Sequence, residues 1–228
     1  MPDELESGPP VSAKPLRAFY GVEGRYRMRR VRVLVCGGRD YADEETLHAI
    51  LSDLHPSVVI HGGCASGADK LASRWVKASG TAEIVCLADW VTHRRAAGPI
   101  RNQKMLDEHT PELVVAFPGG RGTADMVRRA RKAGIPVLEI ARDGTVGITD
   151  AMAMGLLRIR DRGPEAWCEG IRGRTGGAIS RMFDRMGAMG LCTPAPHTIT
   201  DLGRRAVQPY ERRMRVRERR LMGEAAGR

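Results

Sequence analysis

No stretch of the 228-residue chain approaches the ~18 consecutive apolar residues that a membrane-crossing helix needs. The first ten residues, MPDELESGPP, are acidic and lack an apolar run, so no secretory signal is expected there. The cysteines offer no CxxC pair. They are Cys36, Cys64, Cys86, Cys168 and Cys192, an odd set of 5, which argues against disulfides and a structural zinc site and for a reducing cytoplasm. His61 and Cys64 stand three apart, but no second pair of ligands follows. They read as turn and packing residues, and no metal is expected. Aromatic residues are scarce at 4%, yet 42% apolar content still allows a packed core in a segment of roughly 110 residues or more. Lysine is absent from residues 151–228, which carry 16 arginines against 8 acidic residues, a net +8 of the whole chain's +10. Anionic partners are therefore to be sought first in that third of the chain.

What is present divides the chain. Residues 1–29 mix Pro, Gly, Glu and Arg without periodicity and read as a disordered leader, with Met28 as a candidate natural start. Residues 30–143 alternate strand and helix signals. Short apolar runs at 31–35, 57–61, 82–87, 112–117 and 135–140 read as five strands. Between the first two, Asp43 is placed to cap a helix whose apolar face is Leu47, Ile50, Leu51 and Leu54. Ser66 and Asp69 stand in capping-box spacing before a helix that buries Leu71, Trp75 and Val76. Gly98 and Pro99 are expected to open the next helix, with Pro99 at its first position. Apolar strands separated by helices predict an α/β fold, a Rossmann-like, doubly wound, parallel five-stranded sheet covered on both faces.

Residues 148–208 read differently. Thr149 caps a predicted helix carrying Met152, Leu156 and Leu157. After the Gly-rich link GIRGRTGG comes a second, with Ile179, Met182, Phe183 and Met186 at i, i+3, i+4 and i+7. LCT and TIT flank PAPH as a short hairpin, and Thr200 and Asp201 start a last helix. Helices followed by a hairpin predict a small winged helix-turn-helix domain. Residues 209–228 form an Arg-rich tail.

Three glycine clusters each follow a strand: Gly37 and Gly38; Gly62, Gly63 and Gly67; Gly119, Gly120 and Gly122. In a parallel sheet they share the carboxyl edge, where bare amides and helix N-termini bind anions, phosphate above all. Arg39 and Arg101 are suited to pair with phosphate, and Ser66 and Thr123 to donate hydroxyls at helix starts. Asp69, Asp40 and Asp125 are candidate acceptors for ribose hydroxyls. Asn102 and Pro118 complete the expected ligand set.

VLVCGGRDY, HGGCASGADKLA, GPIRNQKML and FPGGRGTADMVRRA, in that order, resemble the YspA and CpYpsA-related branch of the SLOG superfamily. That superfamily also holds the LOG-type phosphoribohydrolases and the Rossmann part of DprA. The resemblance spans residues 31–141. It implies a nucleotide or nucleotide-derived ligand, ADP-ribose-like, and makes a homo-oligomer an expectation. LOG-type hydrolases carry PGGxGTxxE, whose glutamate assists cleavage of an N-glycosidic bond. Here Pro118 to Thr123 match, but the glutamate position is Met126, which neither accepts a proton nor stabilises a developing cation. Asp125 is adjacent but turned by about 100° on a helix. Binding without that hydrolysis is the leading expectation, with Arg101 and Asp125 as catalytic candidates should a reaction occur. In the basic third, Arg172, Arg174, Ser180, Arg181 and Arg185 are the expected DNA contacts. Two alternatives stay open: a nucleotide N-glycosidase or phosphoribohydrolase, and a DprA-like single-strand DNA-binding protein.

Overall fold

The computed structural model describes residues 31–163, 166, 176–193 and 198–226. Five strands form one sheet: β1 (Arg32–Cys36), β2 (Val58–His61), β3 (Ala82–Val85), β4 (Leu113–Ala116) and β5 (Val137–Glu139). Their order is β3-β2-β1-β4-β5 and every neighbouring pair is parallel. The Rossmann-like sheet expected from the sequence is thus the observed one.

Alternation along each strand sends side chains to two apolar layers. Val33, Val35, Val59, Leu113 and Val115 meet α1 (Glu44–Leu54) and α2 (Gly67–Ser79) on one face. Leu34, Ile60, Val114 and Val137 meet Met105 and Leu106 of one helix and Met126 and Val127 of another on the opposite face. Between β3 and β4 the chain makes a short helix, α3 (Trp90–His93), a 3-10 turn, then α4 (Ala97–His109). α5 (Arg121–Lys132) joins β4 to β5. Each fully buried Leu or Ile in these layers contributes roughly 1.5–3 kcal/mol.

The Asp43 carboxylate accepts from the Thr46 N–H at 2.9 Å, and Leu47, Ile50, Leu51 and Leu54 are buried, as the spacing predicts. Two local expectations fail. Ser66 makes no side-chain cap bond; Asp69 accepts instead from the Cys64 N–H at 3.0 Å, so no capping box forms. Pro99 is the third residue of α4, because the helix begins two residues earlier, directly after the preceding 3-10 segment.

Beyond β5 an isolated bridge, Ile140 to Val146, returns the chain to α6 (Asp150–Arg162), whose first turn is capped by Thr149. Helices α7 (Gly176–Ala188) and α8 (Asp201–Ala226) follow. Met182, Phe183 and Met186 are buried, as predicted. Cys192 and Ile199 form an antiparallel bridge that sets LCT against TIT. Among the described residues that bridge is all that represents the expected wing. α8 runs through Pro209 and so across the expected boundary at 208. The helices add their apolar residues to the α1–α2 layer, so Leu156, Phe183, Leu202 and Val207 share one core with Leu51 and Leu54. The leader at 1–29 with Met28, the link at 170–175, PAPH at 194–197, and the last two residues of the tail lie outside the described residues.

Candidate functional site

β2, β1 and β4 are the three central strands, and the chain reverses its direction of winding between β1 and β4. The crevice outside the carboxyl ends at such a point is where α/β sheets take ligands. All three glycine clusters emerge there, and Gly38 joins them. Its N–H donates to the Pro118 carbonyl at 2.8 Å, and its carbonyl accepts from the Ala68 N–H at 3.2 Å. The Tyr41 ring packs on Phe117 with centroids 5.1 Å apart, tying the β1 and β4 ends together again.

The glycines at this rim divide into two kinds. A Cβ on Gly37 would lie 2.5 Å from Ala68 Cβ, one on Gly119 would lie 2.6 Å from Gly38 N, and one on Gly67 would overlap the Gly38 carbonyl. Those three permit loop to pack on loop. Gly120 and Gly122 have nothing within 4 Å, and both are exposed. They leave open space at the start of α5. No side chain caps α5, whose first residues Arg121 and Gly122 are exposed, so its first turn offers N–H groups with the partial positive charge of a helix start; α2 also lacks a side-chain cap, but its Ala68 N–H is taken by the Gly38 carbonyl.

Charged groups surround the rim. The Arg101 guanidinium fills the space where Gly62 lacks a side chain, and its Nη1 donates to the Cys86 carbonyl at 3.4 Å. Its Nε is buried without a partner. Arg39 and Ser66 are exposed, Arg39 with its backbone against Gly67. Thr123 places its hydroxyl against Gly119. Asp69 is committed to the β2–α2 loop through Cys64. Asn102 is buried, and its Nδ2 donates to the Gly122 carbonyl and to Asp125, both at 3.1 Å. Asp125 also accepts from Arg129 at 2.7 Å and from Arg128. Burial alone would raise the Asp125 carboxyl; the bonds from Arg129, Asn102 and Arg128 outweigh it and hold the group below its ordinary range. Asn102 and Asp125 thus form a brace between α4 and the first turns of α5. Met126 is buried against the sheet at 1% exposure, away from the rim.

Beneath the rim, His61 Nε2 lies 2.8 Å from Glu83 and Nδ1 accepts from the Gly63 N–H at 3.1 Å. One nitrogen accepts, so the other carries the proton toward Glu83. The packing role expected of His61 is extended here, since it fixes the Gly63 turn, where φ is +68°. The Cys36 thiol at the end of β1 is pushed up to about 12, by burial first and by Asp69 next, which leaves it unreactive.

An open cleft of about 500 Å³ adjoins the rim between α5 and β5, lined among others by Pro118, Gly119, Thr123, Arg128, Arg131 and Glu139. The last three were absent from the sequence-derived set. Glu139 was findable, because it ends a strand at the same edge. In the basic third, Arg181 and Arg185 are exposed opposite the buried stripe of α7. Arg172, Arg174 and the side chain of Ser180 lie outside the described residues. Among the described residues, no three His, Cys, Asp or Glu side chains converge as a metal set.

The sequence profile of the YspA, cpYpsA-related SLOG family matches residues 31–93. The Gene 61 protein of Mycobacterium phage D29 is 40% identical over 119 residues, covering 47% of this chain and 94% of the phage protein. A solved structure of the molybdenum cofactor carrier protein of Chlamydomonas reinhardtii is similar at 21% identity and a TM-score of 0.35, over 49% of this chain and 77% of that one.

Proposed function

Because the chain belongs to the YspA, cpYpsA-related SLOG family, we propose that it binds a nucleotide or nucleotide-derived, ADP-ribose-like ligand at the glycine rim, in the cytoplasm. One observation carries the reading. Three loops are hydrogen-bonded into a single platform, and beside it the start of α5, with no side-chain cap, and the open glycines Gly120 and Gly122 are exposed. A phosphate there accepts from amides at the α5 start, each charge-assisted bond contributing about 1.5–3 kcal/mol. Arg39 and Arg101 flank it. Gly37, Gly38, Gly62, Gly63, Gly67 and Gly119 shape the platform, and Asn102 and Asp125 hold α5 in place. Hydrolysis of the N-glycosidic bond is not part of the proposal, since Met126 offers no acid or base. Calorimetric titration of the full chain with AMP, ADP-ribose and ribose 5-phosphate tests it. Binding of at least one is expected, with no free base released on prolonged incubation. Folded protein that gives no heat across the panel refutes the binding; base release revives the hydrolase.

The second part of the proposal is that the arginine-rich third contacts DNA, with α7 as the presented helix of a winged unit. Its support is the segregated charge and the exposed pair Arg181 and Arg185. Other arginines there are neutralised internally: Arg160 by Glu211 and Asp161, Arg205 by Asp53, Arg213 by Asp150. Band shifts with single- and double-stranded DNA at low and high salt test the contact. Binding that weakens with salt, and weakens further in a doubly substituted Arg181→Glu, Arg185→Glu chain, is the expected result. Absence of any shift at low salt removes DNA from the proposal.

A further inference from the structure

Five of the eight large apolar side chains exposed among the described residues fall within residues 85–100: Val85, Leu87, Trp90, Val91 and Ile100. Leu87 is 73% and Trp90 52% exposed. The cost of leaving such surface wet argues for an occupant. Its position says which. The Cys86 carbonyl, between Val85 and Leu87, accepts from Arg101, the arginine laid across Gly62. A Cβ built on Gly63 would lie 2.6 Å from both Val85 and Leu87, and one on Gly98 would lie 3.6 Å from the Trp90 ring. Gly98 and Arg101 are i and i+3 on α4, so Trp90 and Arg101 lie along one side of that helix. Trp90, Leu87, Arg101 and the Gly62–Gly63 turn therefore make one continuous corner, apolar at its outer end and cationic where it meets the rim.

We infer that this corner takes the planar ring of the ligand, stacked on Trp90 and flanked by Leu87, while its phosphate lies at the glycine rim. The inference rests on the rim reading and adds the chemical class it selects: a phosphate ester that carries an aromatic base, in preference to a bare sugar phosphate. Trp90 is half exposed on a four-residue helix that buries no side chain, and it belongs to neither apolar layer, so replacing it leaves the core intact.

Titrations of the full chain with AMP and with ribose 5-phosphate, for wild type, Trp90→Ala and Trp90→Phe, decide the matter. Wild type binds AMP about tenfold more tightly than ribose 5-phosphate, the scale of one base–aromatic stack. Trp90→Ala loses that margin while keeping its affinity for ribose 5-phosphate, and Trp90→Phe retains most of it. Equal loss for both ligands in Trp90→Ala overturns the ring assignment, as does no loss for either. A change of mass by light scattering with AMP affinity unaltered overturns it too and makes the corner a protein interface. If wild type binds ribose 5-phosphate but AMP no more tightly, the ring assignment alone falls. If wild type binds neither, the rim reading falls and takes this inference with it.

Discussion

Glycine does two jobs within a few residues of one another here. At Gly119 the missing Cβ is space occupied by Gly38 and Thr123; at Gly122 it is space facing solvent. Opposite results follow from one substitution. Gly119→Ala forces a methyl against the Gly38 amide 2.6 Å away, and overpacking of that kind costs about 1–3 kcal/mol. Gly122→Ala meets nothing and replaces glycine within a helix, which stabilises by up to about 1 kcal/mol. Thermal melts should therefore move down for Gly119→Ala and up by roughly 2–4 °C for Gly122→Ala. Nucleotide affinity should fall in both, in the second because a methyl intrudes where phosphate approaches. A Gly122→Ala protein that binds as wild type does places the phosphate elsewhere. The sequence showed where the glycines were but could not separate these roles, since FPGGRG reads the same whether its neighbour is another loop or a ligand.

Elements were legible where burial was one-sided and local. Strand runs and the i, i+3, i+4, i+7 stripe of α1 follow from chemistry within the element, and Asp43 and Thr149 cap the helices whose first turns they precede. α3 was not legible. It has four residues, and its Trp90 and Val91 point outward, which defeats a rule that seeks buried apolar faces. The capping box failed because the Cys64 amide lies within reach of Asp69, a contact set by the turn and not by spacing. In the brace around Asp125, Arg128 and Arg129 stand at i+3 and i+4 on its own helix, but Asn102 was invisible, as α4 and α5 are joined only by the fold. The chemistry of the brace gives a prediction. The folded-state carboxyl titrates below its unfolded value, so its contribution is present above the unfolded value, near 3.8, and disappears as pH falls through the folded one. Asp125→Asn should destabilise the chain by about 1–2 kcal/mol at pH 7. Urea midpoints of the two proteins should converge as pH falls progressively below the unfolded value. A gap that persists unchanged in acid would show that the brace acts by shape and not by charge.

At the scale of the whole molecule, the reading of two separate units meets a shared core. Periodicity showed that α6, α7 and α8 each bury a face, but not against what. Leu202, fully buried on α8, belongs to the same cluster as Leu47 and Leu51 of α1, and a Cβ on Gly190 would lie 2.7 Å from Leu54. Arg205 of α8 lies 3.5 Å from Asp53 of α1, whose carboxyl burial holds above its ordinary range despite the arginine. The helix that follows the β1 glycine loop is thus also the seat of the basic third, which gives the rim and the arginines a common element. Cooperativity tests whether that element binds them mechanically. Leu202→Ala leaves a cavity that costs roughly 2–5 kcal/mol. With one core, calorimetry of the full chain shows a single unfolding transition, and the variant shifts all of it to lower temperature. With two cores, the variant splits the transition: the helical third melts early, and the sheet, followed through the buried Trp75 on α2, melts where it did before. The packing of α8 on α1 predicts the single shifted transition, and an early, separate melt of the third would uncouple the arginines from the rim.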